Sequence, residues 1–295
     1  MTTLTRCLAL PLLALLLSTA SLTGKNEGQD KPATPAARYQ ALIKEFYDAA
    51  QTHWKATTDE ERTKAVARIN TLSLHSLELA EKNRKDPIAL DALVLVVTQE
   101  IWLENNTSHP GRGKDNPEAR AIALSLRDHV RSDKLGEACR RIGYGFHKEC
   151  ETFLRTVIDK NPHREVQALA CLRLAQFLNA RVQRLDLLRD RPELAKRYEA
   201  LFGKRYLEAL QHQDRAKATE EAEAFFKRAA AQYGDVKLPY GGTVGAKAKA
   251  ELYEIRHLAI GKEAQDIEGQ DQDGKRFKLS DYRGKVVLLY FWSEY

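Results

Sequence analysis

Thiols offer the strongest chemistry in this sequence, and there are four: Cys7, Cys139, Cys150 and Cys171. A thiolate is a nucleophile and a soft metal ligand, so disulfide pairing, redox exchange and metal binding are the chemistries to weigh. His147 and Cys150 stand three residues apart, which places both on one face of a helix. With Cys139 and His129 close by in sequence they outline a metal site. Ordinary packing beside a surface histidine accounts for the same residues, and with no Cys-x-x-Cys pair to strengthen the metal case it is the reading we adopt. Cys139 and Cys150 would bridge if helices at 133–143 and 146–160 folded back on each other. Cys171 sits among leucines and alanines, the setting of a buried, inert thiol. Gly241-Gly242-Thr243-Val244-Gly245 has the glycine density of a phosphate loop. It lacks the closing Gly-Lys-Ser/Thr and a preceding strand, so it reads as a loop with Thr243 capping the next helix. None of these residues is assigned a catalytic, cofactor-binding or metal-binding role, and no cofactor is expected.

The elements that would position such groups are helices. From 36 to 258 the apolar residues recur every three to four positions, with few β-branched runs. The spacing predicts helices near 37–54, 59–82, 87–104, 117–130, 133–143, 146–160, 163–189, 192–201, 204–211, 214–233 and 244–258. Asp86-Pro87, Asn116-Pro117 and Asn161-Pro162 each put a capping side chain before a proline suited to a first helical position. Asp190-Arg191-Pro192 is a weaker version of the same signal. The long breaks fall at 105–115 and 234–242. Three helix–turn–helix stretches, entered near Leu77, Phe153 and Phe225, carry small residues in their second helix. Small residues let helices approach closely, which is the logic of helical-hairpin solenoids; an irregular bundle fits the pattern as well. Trp54, Trp102 and the arginines of 181–191 fall on helical spacing and are read as packing residues and a solvated face.

Composition narrows the class. Apolar residues make up 43% and charges nearly balance, 47 basic against 41 acidic, so the chain folds rather than remaining disordered. The net charge of +6 is spread out and no binding motif accompanies it, which argues against a nucleic-acid partner. At the N-terminus a basic start, an apolar stretch at 7–17 and small residues at 18–20 have the layout of a secretory signal peptide. The stretch is shorter than the roughly 20 residues a membrane-spanning helix needs, so no stable membrane span is expected. A polar linker is read at 21–35. The expected destination is the periplasm or cell envelope, with Cys139, Cys150 and Cys171 left in the mature chain.

After Ala259 the pattern changes. Asp271-Gln272-Asp273-Gly274 lies between short alternating runs, a strong hairpin signal. Val286-Val287-Leu288-Leu289-Tyr290-Phe291-Trp292 then reads as a strand buried on both faces of a sheet. Gly261, Ala264, Asp266, Asp273-Gly274, Leu279-Ser280-Asp281, Arg283-Gly284-Lys285 and Phe291-Trp292 stand in the order found at the entry of redoxin-type thioredoxin-fold domains. The stretch 260–295 resembles the exported TlpA/ResA-like thiol–disulfide oxidoreductases and, more distantly, the AhpC/TSA peroxiredoxins. Gln265 stands where that family has proline.

The resemblance implies a thioredoxin-like α/β domain, of which this sequence holds the first hairpin and strand, after a mainly α, repeat-like domain at 36–258. It also implies a protein dithiol or disulfide, or a reductant, as partner. In that family the Phe-Trp strand end is followed by two residues, an aromatic and then Cys-x-x-Cys. The nucleophile is therefore expected directly after Tyr295, and this chain as written is expected to be inactive. A selenocysteine codon read as a stop, a frameshift or assembly gap or deliberate cut, and a genuine helical product are the three explanations. The rival functional classes are a helical scaffold without enzymatic activity and a peroxiredoxin-like antioxidant enzyme. Peroxiredoxins place their nucleophile later, after Pro-x-x-x-Thr/Ser-x-x-Cys.

Overall fold

The computed structural model describes residues 34–106, 116–143, 147–259, 261–271 and 273–290. The signal-peptide reading at 1–20, most of the linker, most of the 105–115 break and Phe291-Trp292 lie outside the described residues. Among the described residues eleven α-helices come first: α1 (Pro35–Lys55), α2 (Asp59–Lys82), α3 (Ile88–Asn106), α4 (Pro117–His129), α5 (Leu135–Ile142), α6 (Lys148–Lys160), α7 (Arg164–Asp190), α8 (Ala195–Phe202), α9 (Lys204–Gln211), α10 (Arg215–Tyr233) and α11 (Val244–Tyr253). A 3-10 turn at Pro192–Leu194 precedes α8, and a π-helical turn at Glu254–Leu258 continues α11. A two-stranded antiparallel sheet, β1 (Glu268–Gln270) and β2 (Arg276–Lys278), follows. The fold is mainly helical with one hairpin near the C-terminus. No helix among the described residues is long and apolar enough to cross a membrane.

Local chemistry explains most helix starts. Thr34 and Pro35, read as the end of the linker, form the cap and first position of α1: the Thr34 hydroxyl accepts from the Ala37 N–H at 3.2 Å. α2 opens with a capping box, in which Thr58 Oγ1 accepts from Glu61 N–H and the Glu61 carboxylate accepts from Thr58 N–H, both at 3.2 Å. Asp86 and Asn116 accept from the N–H groups of Ile88 and Glu118, each at 2.9 Å. Thr243 caps α11 by accepting from Ala246 N–H at 3.2 Å.

Asn161 departs from the expectation. α7 begins only at Arg164, and its N-cap, His163, makes no capping bond with its side chain. Asn161 is instead 1% exposed and works as a tie between segments. Its amide donates to the Val130 and Ser132 carbonyls, both at 2.8 Å, while its Oδ1 accepts from His163 N–H at 2.8 Å. The half-buried carbonyls after α4 find donors in this side chain.

Packing follows chain order. α1 lies on α2, α2 on α3, α6 on α7, and α10 on both α7 and α11. α3 is apolar nearly all round and is covered by α1, α2, α4 and α5, as a helix without a polar face must be. One continuous apolar cluster runs from Leu42 on α1 to Ala248 on α11, with Phe153, Phe177 and Phe226 among its fully buried members. A smaller cluster of Leu188, Leu207 and Leu210 sits where α7 meets α9.

Small residues matter most where α11 enters. A Cβ on Gly245 would lie 2.8 Å from the Gly234 Cα, so two backbones touch there. Gly245 N–H donates to the Gly234 carbonyl at 3.2 Å. The loop between them closes through Val244 N–H to the Val236 carbonyl and Leu238 N–H to the Gly242 carbonyl. The positive φ of Gly241 and Gly242, 96° and 74°, makes its reversal.

Charged residues also cross between helices. Glu151 on α6 accepts from Arg155 on the same helix at 2.8 Å and from Arg181 on α7 at 2.7 Å, and Arg155 continues to Glu221 on α10 at 2.6 Å. Arg181, read from the sequence as part of a solvated face, thus has a side chain only 17% exposed and held inside this network.

Candidate functional site

The thiols do not form a site. Cys139, Cys150 and Cys171 are all free and buried, so the Cys139–Cys150 bridge considered from the sequence is not formed. Each helix turns its thiol inward. Burial pushes the Cys139 thiol far above its ordinary pKa, and pushes that of Cys171 up to about 11. Cys150 donates to the Glu118 carboxylate at 3.4 Å, and Cys171 to the Phe225 carbonyl at 3.7 Å. A thiol kept protonated is a poor nucleophile.

The outlined metal ligands do not converge either. The His147 ring stands edge-on to Tyr206, 6.4 Å between centroids, and half-buried His129 has its pKa lowered by burial, with Asp128 opposing. Among the described residues no three His, Cys, Asp or Glu side chains gather as a metal site requires. The glycine loop at 241–245 is a chain reversal, as described above. Trp102 is buried, but Trp54 is 64% exposed and only leans edge-on against Trp102, at 6.2 Å. A cleft between α2 and α4 presents Arg84, Arg120 and Arg127, and their charges are met by Asp128 and Glu81.

The region with an organised local design is 261–285. β1 and β2 pair Glu268 with Lys278, Gly269 with Phe277 and Gln270 with Arg276. The Phe277 ring covers Gly269 so closely that a Cβ there would lie 3.0 Å from it. The turn is organised by Asp271, whose Oδ1 accepts from the Asp273 and Lys275 N–H groups at 3.0 and 2.8 Å. Gly274 supplies the positive φ of 78°. Lys278 and Glu268 form an ion pair across the strands.

The residues after the hairpin return to the entry loop. Asp266 accepts from the Ser280 N–H at 2.8 Å and from its hydroxyl at 2.9 Å. Those two bonds, the backbone one foremost, hold the Asp266 carboxyl below its ordinary pKa. Asp281 accepts from Lys278 N–H at 2.8 Å, which starts the 3-10 turn Leu279–Tyr282. Arg283 reaches Glu263 at 2.9 Å, and Gly284 turns the chain at φ 80°. Gln265 lies at the rim of the open cleft that Glu263, Asp266, Ser280 and Arg283 surround. Asp266, Ser280, Asp281, Arg283 and Gly284 were legible as positions of a pattern. Glu263 was not, because a partner twenty residues from Arg283 leaves no local signal.

This segment can position a strand. It offers no thiol, for 261–290 contain no cysteine. The strand read at 286–292 is not formed over its described part: 286–290 carry no strand pairing. Val286, Leu288 and Tyr290 are 104%, 90% and 80% exposed. A strand of this kind is held by neighbours on both sides, and among the described residues β1 and β2 pair only with each other.

Residues 260–295 match the AhpC/TSA family. No curated protein and no solved structure gives a match. The similarity to redoxins covers this C-terminal stretch and does not extend to the helical region.

Proposed function

We propose that the protein is an exported thiol–disulfide oxidoreductase of the TlpA/ResA-like kind, whose nucleophile is supplied by residues following Tyr295. The observation that carries this reading is the redoxin match at 260–295, in which Asp266, Ser280 and Asp281 of the motif make hydrogen bonds that shape the segment. The exposed run at 286–290 supports it physically. Five consecutive apolar residues without a charge or proline are covered in a sheet and invite aggregation outside one. The chemistry would be attack of a thiolate, or of a selenolate, on a protein disulfide, with release of the second sulfur as a thiolate; a cysteine three positions on then attacks the mixed intermediate, closing a bond within the enzyme and freeing the partner's other sulfur as a thiolate. The helical region at 36–258 would hold the partner protein, and a signal peptide at 1–20 would direct the chain to the periplasm or cell envelope.

Sequencing the coding DNA across and beyond the codon after Tyr295 tests the proposal. Cys-x-x-Cys in frame supports it directly. UGA followed in frame by x-x-Cys and the rest of a thioredoxin fold supports it as a selenoprotein. Pro-x-x-x-Thr/Ser-x-x-Cys makes the enzyme a peroxidase instead. A different stop with no redoxin sequence in any frame refutes it and leaves the helical scaffold. Fractionation of the source cells tests the location, with recovery in the cytosol counting against export.

A further inference from the structure

The cleft between the end of α2 and α4 carries more positive than negative charge. Arg120 and Arg127 lie two turns apart on one face of α4, and Arg84, just past the end of α2, belongs to the other wall. Asp128 pairs with Arg127 at 2.6 Å and with Arg84 at 3.3 Å, and Glu81 pairs with Arg120 at 2.7 Å. Three guanidinium groups thus share two carboxylates, which leaves one positive charge unbalanced within this set. The three arginine side chains are 49–61% exposed, so an incoming group can reach them. Asp128 engages only Nε and one terminal nitrogen of Arg127. A guanidinium has five N–H donors, so all three arginines keep donors for a further acceptor.

Between the arginines the cleft is apolar. Ala123 and Leu124 stand midway between Arg120 and Arg127 along α4 and line the same opening. Leu124 is half-buried against the main core, and Ala123 is exposed. Seven residues of helix separate Arg120 from Arg127 by about 10 Å along the axis. Residues three apart in an extended chain span the same distance, about 10 Å. The cleft encloses about 500 Å³, a volume suited to a small ligand or a few side chains. Exposed ion pairs of this kind add little to stability, so the fold gains little from gathering three arginines here.

We propose that this cleft docks an acidic peptide segment of a partner protein. Two carboxylates about 10 Å apart would meet Arg120 and Arg127, and an apolar side chain between them would rest on Ala123 and Leu124. The surplus positive charge, to which Arg84 contributes, selects the carboxylates. The apolar floor selects a peptide over an inorganic anion. The inference rests on the reading of the helical region as the part that holds a partner, and it names the chemistry of the contact.

The test is fluorescence anisotropy with the full chain at low salt. The probe is the peptide Gly-Glu-Ala-Leu-Glu-Gly, amidated and carrying a neutral fluorophore. Saturable binding is expected, weakened about five-fold by Arg120→Gln, by Arg127→Gln, and by glutamine in place of both peptide glutamates. Absence of saturable binding, equal binding of the glutamine peptide, or unchanged affinity in both variants would overturn the proposal. So would inorganic phosphate competing, at constant ionic strength, as well as the unlabelled peptide does. The variants remove only exposed pairs and should keep their Tm. Should either not fold, Arg84→Gln, expected to weaken binding in the same way, and the two peptides still decide the matter. No thiol and no residue of the redoxin segment takes part in this contact, so its failure leaves the oxidoreductase reading standing.

Discussion

Gly245→Ala inserts one methyl group where two backbones meet. Its carbon would stand 2.8 Å from both the Cα and the carbonyl oxygen of Gly234, and 3.2 Å from the carbonyl carbon. All three are backbone atoms, so relief requires α11 to move away from the end of α10 rather than a side chain to rotate. Overpacking of this kind costs about 1–3 kcal/mol. The helical preference of alanine over glycine returns at most about 1 kcal/mol, and less in the first turn, where Gly245 is the second residue. The net is a destabilisation of about 1–2 kcal/mol, which for a helical body of this size is a fall of about 2–8 °C in Tm. Thermal unfolding followed by helical circular dichroism, with urea unfolding as a second measure, reads it. The Gly245 N–H to Gly234 carbonyl bond of 3.2 Å should also be lost, seen as faster amide exchange at that position. An unchanged or higher Tm, with exchange unaltered, would refute the argument that glycine is there to permit contact.

Asn161→Ala removes two donors and one acceptor that are met inside the protein, and should cost about 2–3 kcal/mol in urea unfolding; a loss below about 0.5 kcal/mol would mean water replaces the side chain. In a Cys7→Ser chain, Cys139, Cys150 and Cys171 should react with a thiol reagent only at the rate of opening, so a fast phase in the native protein would contradict their burial. Burial raises the pKa of Cys171 from 9.0 to about 11, and burial followed by Asp91 raises that of Tyr39 from 10.0 to about 12. Both groups ionise more readily when unfolded. The stability they contribute is intact below about pH 9 and declines as pH rises through about 11–12. Cys171→Ala should flatten the first part of that decline, and an alkaline profile identical to the parent would exclude the thiol as its source.

The sequence pattern made the helices legible because their signals are local. Periodic apolar residues and the side chains of Asp86, Asn116 and Thr243 act within a turn of the positions they mark, and the structure uses all three as caps. Asn161-Pro162 has the same local form and a different use. The carbonyls it serves belong to Val130 and Ser132, about thirty residues earlier, and nothing near Asn161 announces them. The redoxin segment was readable for the opposite reason: the partners Asp266 and Ser280, or Lys278 and Asp281, lie within one short hairpin unit.

Sequence by itself determined the mainly helical class, the helix boundaries to within a few residues and the hairpin at Asp271–Gly274, all consequences of short-range geometry. Only the tertiary structure decided that the three described thiols remain apart, that Arg181 turns inward to Glu151, and that Gly245 rests on Gly234. It also showed that 286–290 take up no pairing, although their composition is that of a buried strand. A strand's propensity resides in its own residues, but its hydrogen bonds and its burial belong to the neighbours that cover it.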